Sequence, residues 1–219
     1  RYADDFVVLC KTLDDAESLY GLLDDYLNER GLTLALDKTR ITNLYDGFDF
    51  LGYNIRCYRG KDRDKVLIKA SNDSIKSFMH KAKVIIRNCY PWNLEESITR
   101  LNYLINGTGN YWKRGSNKKL FSKMDNYIFR LSMRQIKRGY PNKSTKWRVK
   151  KHFKASEHPG HNDRWTFTDP KTGSQVDKMS WINIQYHKCI KYRASPYDVE
   201  YDEYFDKRLL KTPFEYLFG

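Results

Sequence analysis

The sequence predicts an α+β protein, and three observations carry that prediction. Short apolar runs broken by turn residues fill the first seventy positions. Three apolar stripes at helical spacing follow between Asn72 and Tyr140. The remainder is turn-rich, with scattered Trp and Tyr. The chain has 219 residues and a mass of 26.2 kDa, with 17 Tyr, 11 Phe and 5 Trp. Such aromatic content can fill a core and excludes a disordered basic tail, although the mean hydropathy is −0.78. No run approaches the roughly 18 consecutive apolar residues of a membrane span, and the first residues lack the shape of a signal peptide. An integral membrane protein is not expected.

Each element has its own local reason. Phe6–Cys10 is a continuous apolar run suited to a strand covered on both faces. Tyr2-Ala3-Asp4-Asp5 before it reads as a tight turn, and with so little chain ahead of it the parent protein is expected to extend further in the N-terminal direction. Asp14 and Asp15 open a helical stripe of Ala16, Leu19, Tyr20, Leu23, Tyr26 and Leu27, with Gly31 as its C-cap. Residues 32–45 and 48–55, joined by Asp46-Gly47, are expected to form a hairpin, and Val66–Ile68 a third strand.

Helices follow. Ile75, Phe78, Met79, Ala82, Ile85 and Ile86 form one stripe, with capping candidates at Asn72-Asp73-Ser74. Leu94, Ile98, Leu101 and Ile105 form a second after Pro91. Leu120, Met124, Tyr127, Ile128 and Leu131 form a third, ended by Gly139-Tyr140-Pro141. The expected organisation is residues 1–70 as a mixed strand and helix region, 71–140 as a three-helix bundle, and 141–219 as a basic linker with a small irregular module.

The net charge of +13 is concentrated in one stretch. Residues 1–60 hold 7 basic and 11 acidic side chains, residues 61–155 hold 24 and 6, and residues 156–219 hold 9 and 10. A block this basic binds a polyanion, of which a phosphate backbone is the commonest. Cys10, Cys57, Cys89 and Cys189 form no C-x-x-C pair, and with His152, His158, His161 and His187 they match no zinc spacing. Reduced thiols and no structural metal are expected.

Two constellations carry chemistry. Asp4 and Asp5 are adjacent carboxylates, which repel each other when ionised and are relieved most simply by a divalent cation. At a turn both can face one cleft, and oxygen donors of this kind suit Mg²⁺ with water and substrate phosphate completing its shell. The second is Gly109-Asn110-Tyr111-Trp112 with Lys113, Arg114, Lys118, Lys119 and Lys123. Aromatic and basic residues interleave there as RNA recognition requires. Arg134, Lys137, Arg138, Lys143, Lys146, Arg148, Lys150 and Lys151 continue the basic face around Trp147. At least one of Tyr111 and Trp112 is expected in the bundle core.

These motifs carry a family resemblance. RYADDFVVLC, then LALDKTRIT, then FDFLGYNI resemble the later palm blocks of reverse transcriptases in order and approximate spacing. The stretch from LNYLINGTGNYWKRG to STKWRVKKHF resembles the maturase, or thumb, domain of group II intron-encoded proteins, and RASPYDVEYDEYFDKRL is similar to the segment after it. The resemblance implies a partial polymerase palm followed by a three-helix thumb and a DNA-binding-like module. It implies that Asp4 and Asp5 bind Mg²⁺, two ions in the complete enzyme, with deoxynucleoside triphosphates as substrates. Tyr2 and Ala3 would lie beside the nascent strand, and Lys38 near the triphosphate. Phe50, Leu51, Gly52 and Tyr53 would form the primer grip.

Without the resemblance, Lys38 reads as a turn lysine, and residues 50–53 equally well as a core strand with a bulge. The implied partners are group II intron RNA, a template–primer duplex and the N-terminal palm and fingers of the parent. The implied location is the bacterial cytoplasm or an organelle, not the exterior. The expected function is RNA-directed DNA synthesis and intron splicing by the parent, with this chain alone inactive. The alternative is a non-catalytic, RNA-binding splicing maturase.

Overall fold

The computed structural model describes residues 2, 4–89, 93–186, 190–191, 194–195 and 197–210. Helix α1, Leu13–Asn28, forms where the stripe predicts it. Its entry is fixed by a capping box: the Thr12 hydroxyl accepts from the Asp15 amide (3.1 Å), and the Asp15 carboxylate accepts from the Thr12 amide (3.2 Å). None of its residues is buried. Phe6–Cys10, expected as a strand, forms none and is exposed throughout. A strand needs a partner for its backbone groups, and no described strand lies alongside it.

The antiparallel sheet differs from the expected hairpin. Residues 32–45 form no strand; the chain there is irregular, with turns at 36–38 and 44–46. The run 48–55 is split into β1, Phe48–Phe50, and the start of β2, Tyr53–Tyr58; β3, Lys65–Ala70, pairs on the other side of β2. Phe50 faces Tyr53 across a two-residue loop, Leu51-Gly52, in which both residues have positive φ (47° and 74°). That is the φ pattern of a type I′ turn, whose twist matches the flanking strands. Asp46-Gly47 does turn, with the Gly47 amide on the Asn43 carbonyl (3.2 Å), but it joins no strand pair.

The three helical stripes give α2 (Asn72–Arg87), α3 (Leu94–Trp112) and α4 (Lys118–Gly139). The α2 cap is Ser71, one residue before the expected cluster, accepting from the Ser74 amide (3.2 Å). Phe78, Ala82 and Ile86 from α2 meet Leu94, Ile98, Leu101 and Ile105 from α3 and Phe121, Met124, Ile128 and Leu131 from α4 in one core. The Tyr127 hydroxyl donates to the Met79 carbonyl (3.2 Å), and the Gln135 amide donates to those of Arg87 (3.2 Å) and Cys89 (2.8 Å). Eight residues along one helix correspond to eight along the other, so α2 and α4 run parallel.

Packing continues past residue 140. Helix α5, Thr145–His152, capped by Ser144, leads into a short ladder of β4, Phe153–Lys154, with β5, Thr166–Phe167. Residues 175–182 then strap across α3 and α4. The Asn102 side chain donates to the Gln175 carbonyl and accepts from the Asp177 amide (both 2.8 Å). The Asp125 carboxylate accepts from the amides of Met179 (2.7 Å) and Ser180 (3.0 Å). Gly109 leaves room for the strap, since a Cβ there would lie 2.3 Å from Ile182 Cδ1. The compact unit runs to Ile184; a second unit, Gln185–Gly219, contains α6, Asp202–Leu210. Among the described residues no helix is long and apolar enough to cross a membrane.

Candidate nucleic-acid interface

Tyr2 and Asp5 exchange backbone bonds, Tyr2 N–H to Asp5 O (2.7 Å) and Asp5 N–H to Tyr2 O (2.9 Å). Asp4 and Asp5 follow each other in this closed turn, both exposed. Ala3 lies outside the described residues. The two carboxylates are hard oxygen donors open to solvent, a set that fits Mg²⁺ with water or phosphate filling its other positions. No group of three or more His, Cys, Asp or Glu suited to a metal occurs among the described residues, so this pair supplies two donors only. Lys38 stands exposed in the turn after Ala35, and no hydrogen bond or ion pair joins its side chain to Asp4 or Asp5.

The Leu51-Gly52 turn is held by polar contacts from three directions. Tyr111 Oη, at the end of α3, donates to the Leu51 carbonyl (2.6 Å), and Tyr53 Oη donates back to the Tyr111 carbonyl. The two rings lie 5.0 Å apart. The Gly52 carbonyl accepts from the Ser71 amide (2.9 Å) and the Ser74 hydroxyl (3.0 Å). A Cβ at Gly52 would meet that hydroxyl oxygen at 2.8 Å and would sit on a backbone at φ 74°, so glycine is favoured there. Leucine at φ 47° is uncommon, and the Tyr111 bond to its own carbonyl helps keep it there. Burial pushes the Tyr53 hydroxyl up to about 12, with Tyr111 adding to the shift. Burial, and after it the nearby Tyr2 phenol, raises Tyr111. The Leu51-Gly52 turn and the end of α3 therefore meet, with Tyr2 of the aspartate turn close enough to Tyr111 to influence its phenol.

Asn117 secures the same junction. It accepts from the Ala70 amide (2.9 Å) and donates to the Trp112 carbonyl (2.8 Å), while the Ser116 amide bonds the Ile68 carbonyl (2.7 Å). Its place after Gly115-Ser116 reads in sequence only as a helix cap, so this bridging role was not visible there.

Two residues expected to touch RNA do not face solvent. Trp112 is 2% exposed and packs on Phe78 with ring centroids 5.7 Å apart; it continues the stripe Leu94, Ile98, Leu101, Ile105, Gly109, a spacing that marks it as core. Arg148 is 7% exposed, and its guanidinium binds the carbonyls of Tyr140 (3.1 Å), Pro141 (3.3 Å) and Lys143, closing the α4–α5 corner. Lys118 donates to the Ser180 carbonyl (2.6 Å), and Lys113 to Asn110 (3.0 Å). Lys151 lies over the rings of Tyr140 (4.7 Å) and Trp147 (4.9 Å), and Lys143 over Trp147 (5.5 Å). Arg114, Lys119, Lys123, Arg134, Lys137, Arg138, Lys146 and Lys150 are exposed. Cys10, Cys57 and Cys89 are free thiols; His187 and Cys189 lie outside the described residues.

No curated protein matches the chain. Family models do, in two separate stretches. Residues 1–55 match the reverse transcriptase (RNA-dependent DNA polymerase) family. Residues 75–153 match the maturase-specific domain of group II introns. With the palm turn, the sheet and the helical bundle following each other in that order on one polypeptide, the chain belongs to the group II intron reverse transcriptases and maturases.

Proposed function

We propose that this chain supplies part of the catalytic site and the RNA grip of an RNA-directed DNA polymerase that also assists splicing of its intron RNA. The observation that supports the reading best is the joining of the Leu51-Gly52 turn to the end of α3 through Tyr111 and Tyr53, with Tyr2 of the exposed Asp4-Asp5 turn nearby. Asp4 and Asp5 offer their carboxylate oxygens to Mg²⁺. When bound, the metal offsets charge on the transferred phosphoryl group and aligns the attacking and leaving oxygens. Tyr2 and Ala3 flank the incoming nucleotide, and Lys38 serves the leaving pyrophosphate. Phe50, Leu51, Gly52 and Tyr53 present backbone to the primer end. The exposed cations of α4 and α5 hold the phosphates of intron RNA or of a template–primer duplex.

With two carboxylate donors, the chain by itself binds RNA and does not extend a primer. The test is to measure both with the purified 219-residue chain. Affinity for group II intron RNA should fall by about three to five decades between 50 and 200 mM salt if six to ten phosphates are contacted. Weak binding that ignores salt would sink the RNA grip. Primer extension by this chain, lost in Asp4→Ala, would sink the claim of inactivity. One observation favours a non-catalytic maturase: the buried core lies wholly from Ala70 onward, in the RNA-binding half. Splicing that survives Asp4→Ala in the complete protein, where DNA synthesis does not, separates the two roles.

A further inference from the structure

Between the parallel helices α2 and α4 runs a groove with two cavities end to end. The first has a volume of about 480 Å³ and is floored by Met79, Met124 and Tyr127, with Ser122 and Asn126 at its rim. The Tyr127 ring is held in place by its bond to the Met79 carbonyl (3.2 Å). A volume of this size accepts a planar heterocycle, and the second cavity, about 130 Å³, does not. The second cavity is walled by Lys83 and Arg87 on one side and by Arg134 and Arg138 on the other.

The charges are ordered along the helices. Arg130, Arg134 and Arg138 succeed each other every four residues on α4, about 6 Å apart along the axis, and Lys83 and Arg87 do the same on α2. None of these five side chains has a hydrogen bond or an ion pair among the described residues. Gln135, the neutral polar group between them, already uses its amide on the Arg87 and Cys89 carbonyls. Two rows of unpaired cations lining the same groove offer a site to an anion that runs along it. Beside them, a thioether and phenol pocket with an amide at its rim suits a base whose face is free and whose edge can be bonded.

We propose that the α2–α4 groove binds an unpaired segment of RNA. One base enters the Met79–Tyr127 cavity, and the adjoining phosphates lie between the Lys83–Arg87 and Arg134–Arg138 rows. The proposal rests on the RNA-binding reading and narrows it, because a base inside a duplex cannot enter the cavity. Lys83, Arg87 and Arg130 join the interface by this placement.

The test uses the 219-residue chain with a short single-stranded RNA carrying 2-aminopurine, and with a blunt RNA duplex of equal length. Asn126→Trp fills the mouth of the cavity without changing charge. It should weaken single-strand binding about tenfold, abolish the 2-aminopurine fluorescence change and leave duplex binding within about twofold. Lys83→Gln with Arg87→Gln should weaken single-strand binding by a similar factor and lower its salt slope by about 1.4. Unchanged melting temperatures establish that both variants fold. Equal losses for single strand and duplex, no loss for either, or equal competition by polyglutamate would each overturn the groove. If the wild-type chain binds duplex RNA but not the single strand, the groove falls and the RNA grip stands; if it binds no RNA, both fall.

Discussion

Residues 4–45 and residues 70–184 put their apolar side chains to opposite effect. In the first stretch Leu9, Leu13, Leu22 and Leu36 are 59–78% exposed, and the stripe of α1 is at most half-buried. In the second, Ala82, Ile105, Phe121 and Met179 are 0% exposed. An amphipathic stripe only offers a face; burial requires a second element to take it. Helix α1 stands on its capping box and its acidic first turn, whereas α2, α3 and α4 stand on each other. Exposed apolar surface of that extent marks an interaction face, while the bundle carries its own stability.

The largest effect that would break this contrast is a core truncation. Phe121→Ala should lower unfolding free energy in denaturant by about 3–5 kcal/mol, while Leu22→Ala should change it by less than about 0.5 kcal/mol. Equal effects would erase the distinction.

The next effect is pH-dependent. His152 is 4% exposed with both ring nitrogens unpartnered, and burial, helped by the Lys151 charge, pushes it down to about 4; Asp169 opposes the shift. Its unfolded value is about 6.5. The unfolded chain therefore takes up the proton first, and the stability due to neutral His152 is complete above about pH 6.5 and lost as pH falls through 4. The unfolding free energy of the bundle from urea titrations should drop accordingly, by about 2–3 kcal/mol, and His152→Phe should flatten that part of the profile.

Gly109→Ala comes third, at about 1–3 kcal/mol. The added methyl meets Ile182 Cδ1 and Met179 Cγ, so cleavage by protease within residues 175–182 should rise before the bundle itself opens. The smallest is Thr12→Ala. Loss of the cap should cost about 1 kcal/mol in α1, visible as faster amide exchange there with no change in exchange at the centre of α4.

Legibility in the sequence follows the same divide. The bundle stripes were readable because helical spacing and mutual burial agree. Phe6–Cys10 was misread because composition shows that a segment can be a strand, not that a partner lies beside it. The Leu51-Gly52 turn was hidden by Asp46-Gly47, a better local signal. Leucine disfavours positive φ, and what places it there is distant in sequence: Tyr111 on the Leu51 carbonyl, and Ser71 and Ser74 on that of Gly52. Asp4 and Asp5 announce themselves by adjacency. That one of Tyr111 and Trp112 enters the core was legible, and the stripe from Leu94 to Gly109 points to Trp112; the burial of Arg148 was not, since the carbonyls it binds converge only after the chain turns at Pro141.

The paired tyrosines at the sheet–bundle junction have a mechanical consequence. Each donates its hydroxyl to a carbonyl on the other's side, Tyr111 to Leu51 and Tyr53 to Tyr111. Such a double latch has almost no slack in rotation: turning α3 by the 100° between successive residues would release both bonds together. A tilt of α3 small enough to keep them drags the Leu51-Gly52 turn with it. The end of the helix and the turn behave as one stiff part, and force applied to the bundle arrives at the Leu51-Gly52 turn until the latch opens as a whole.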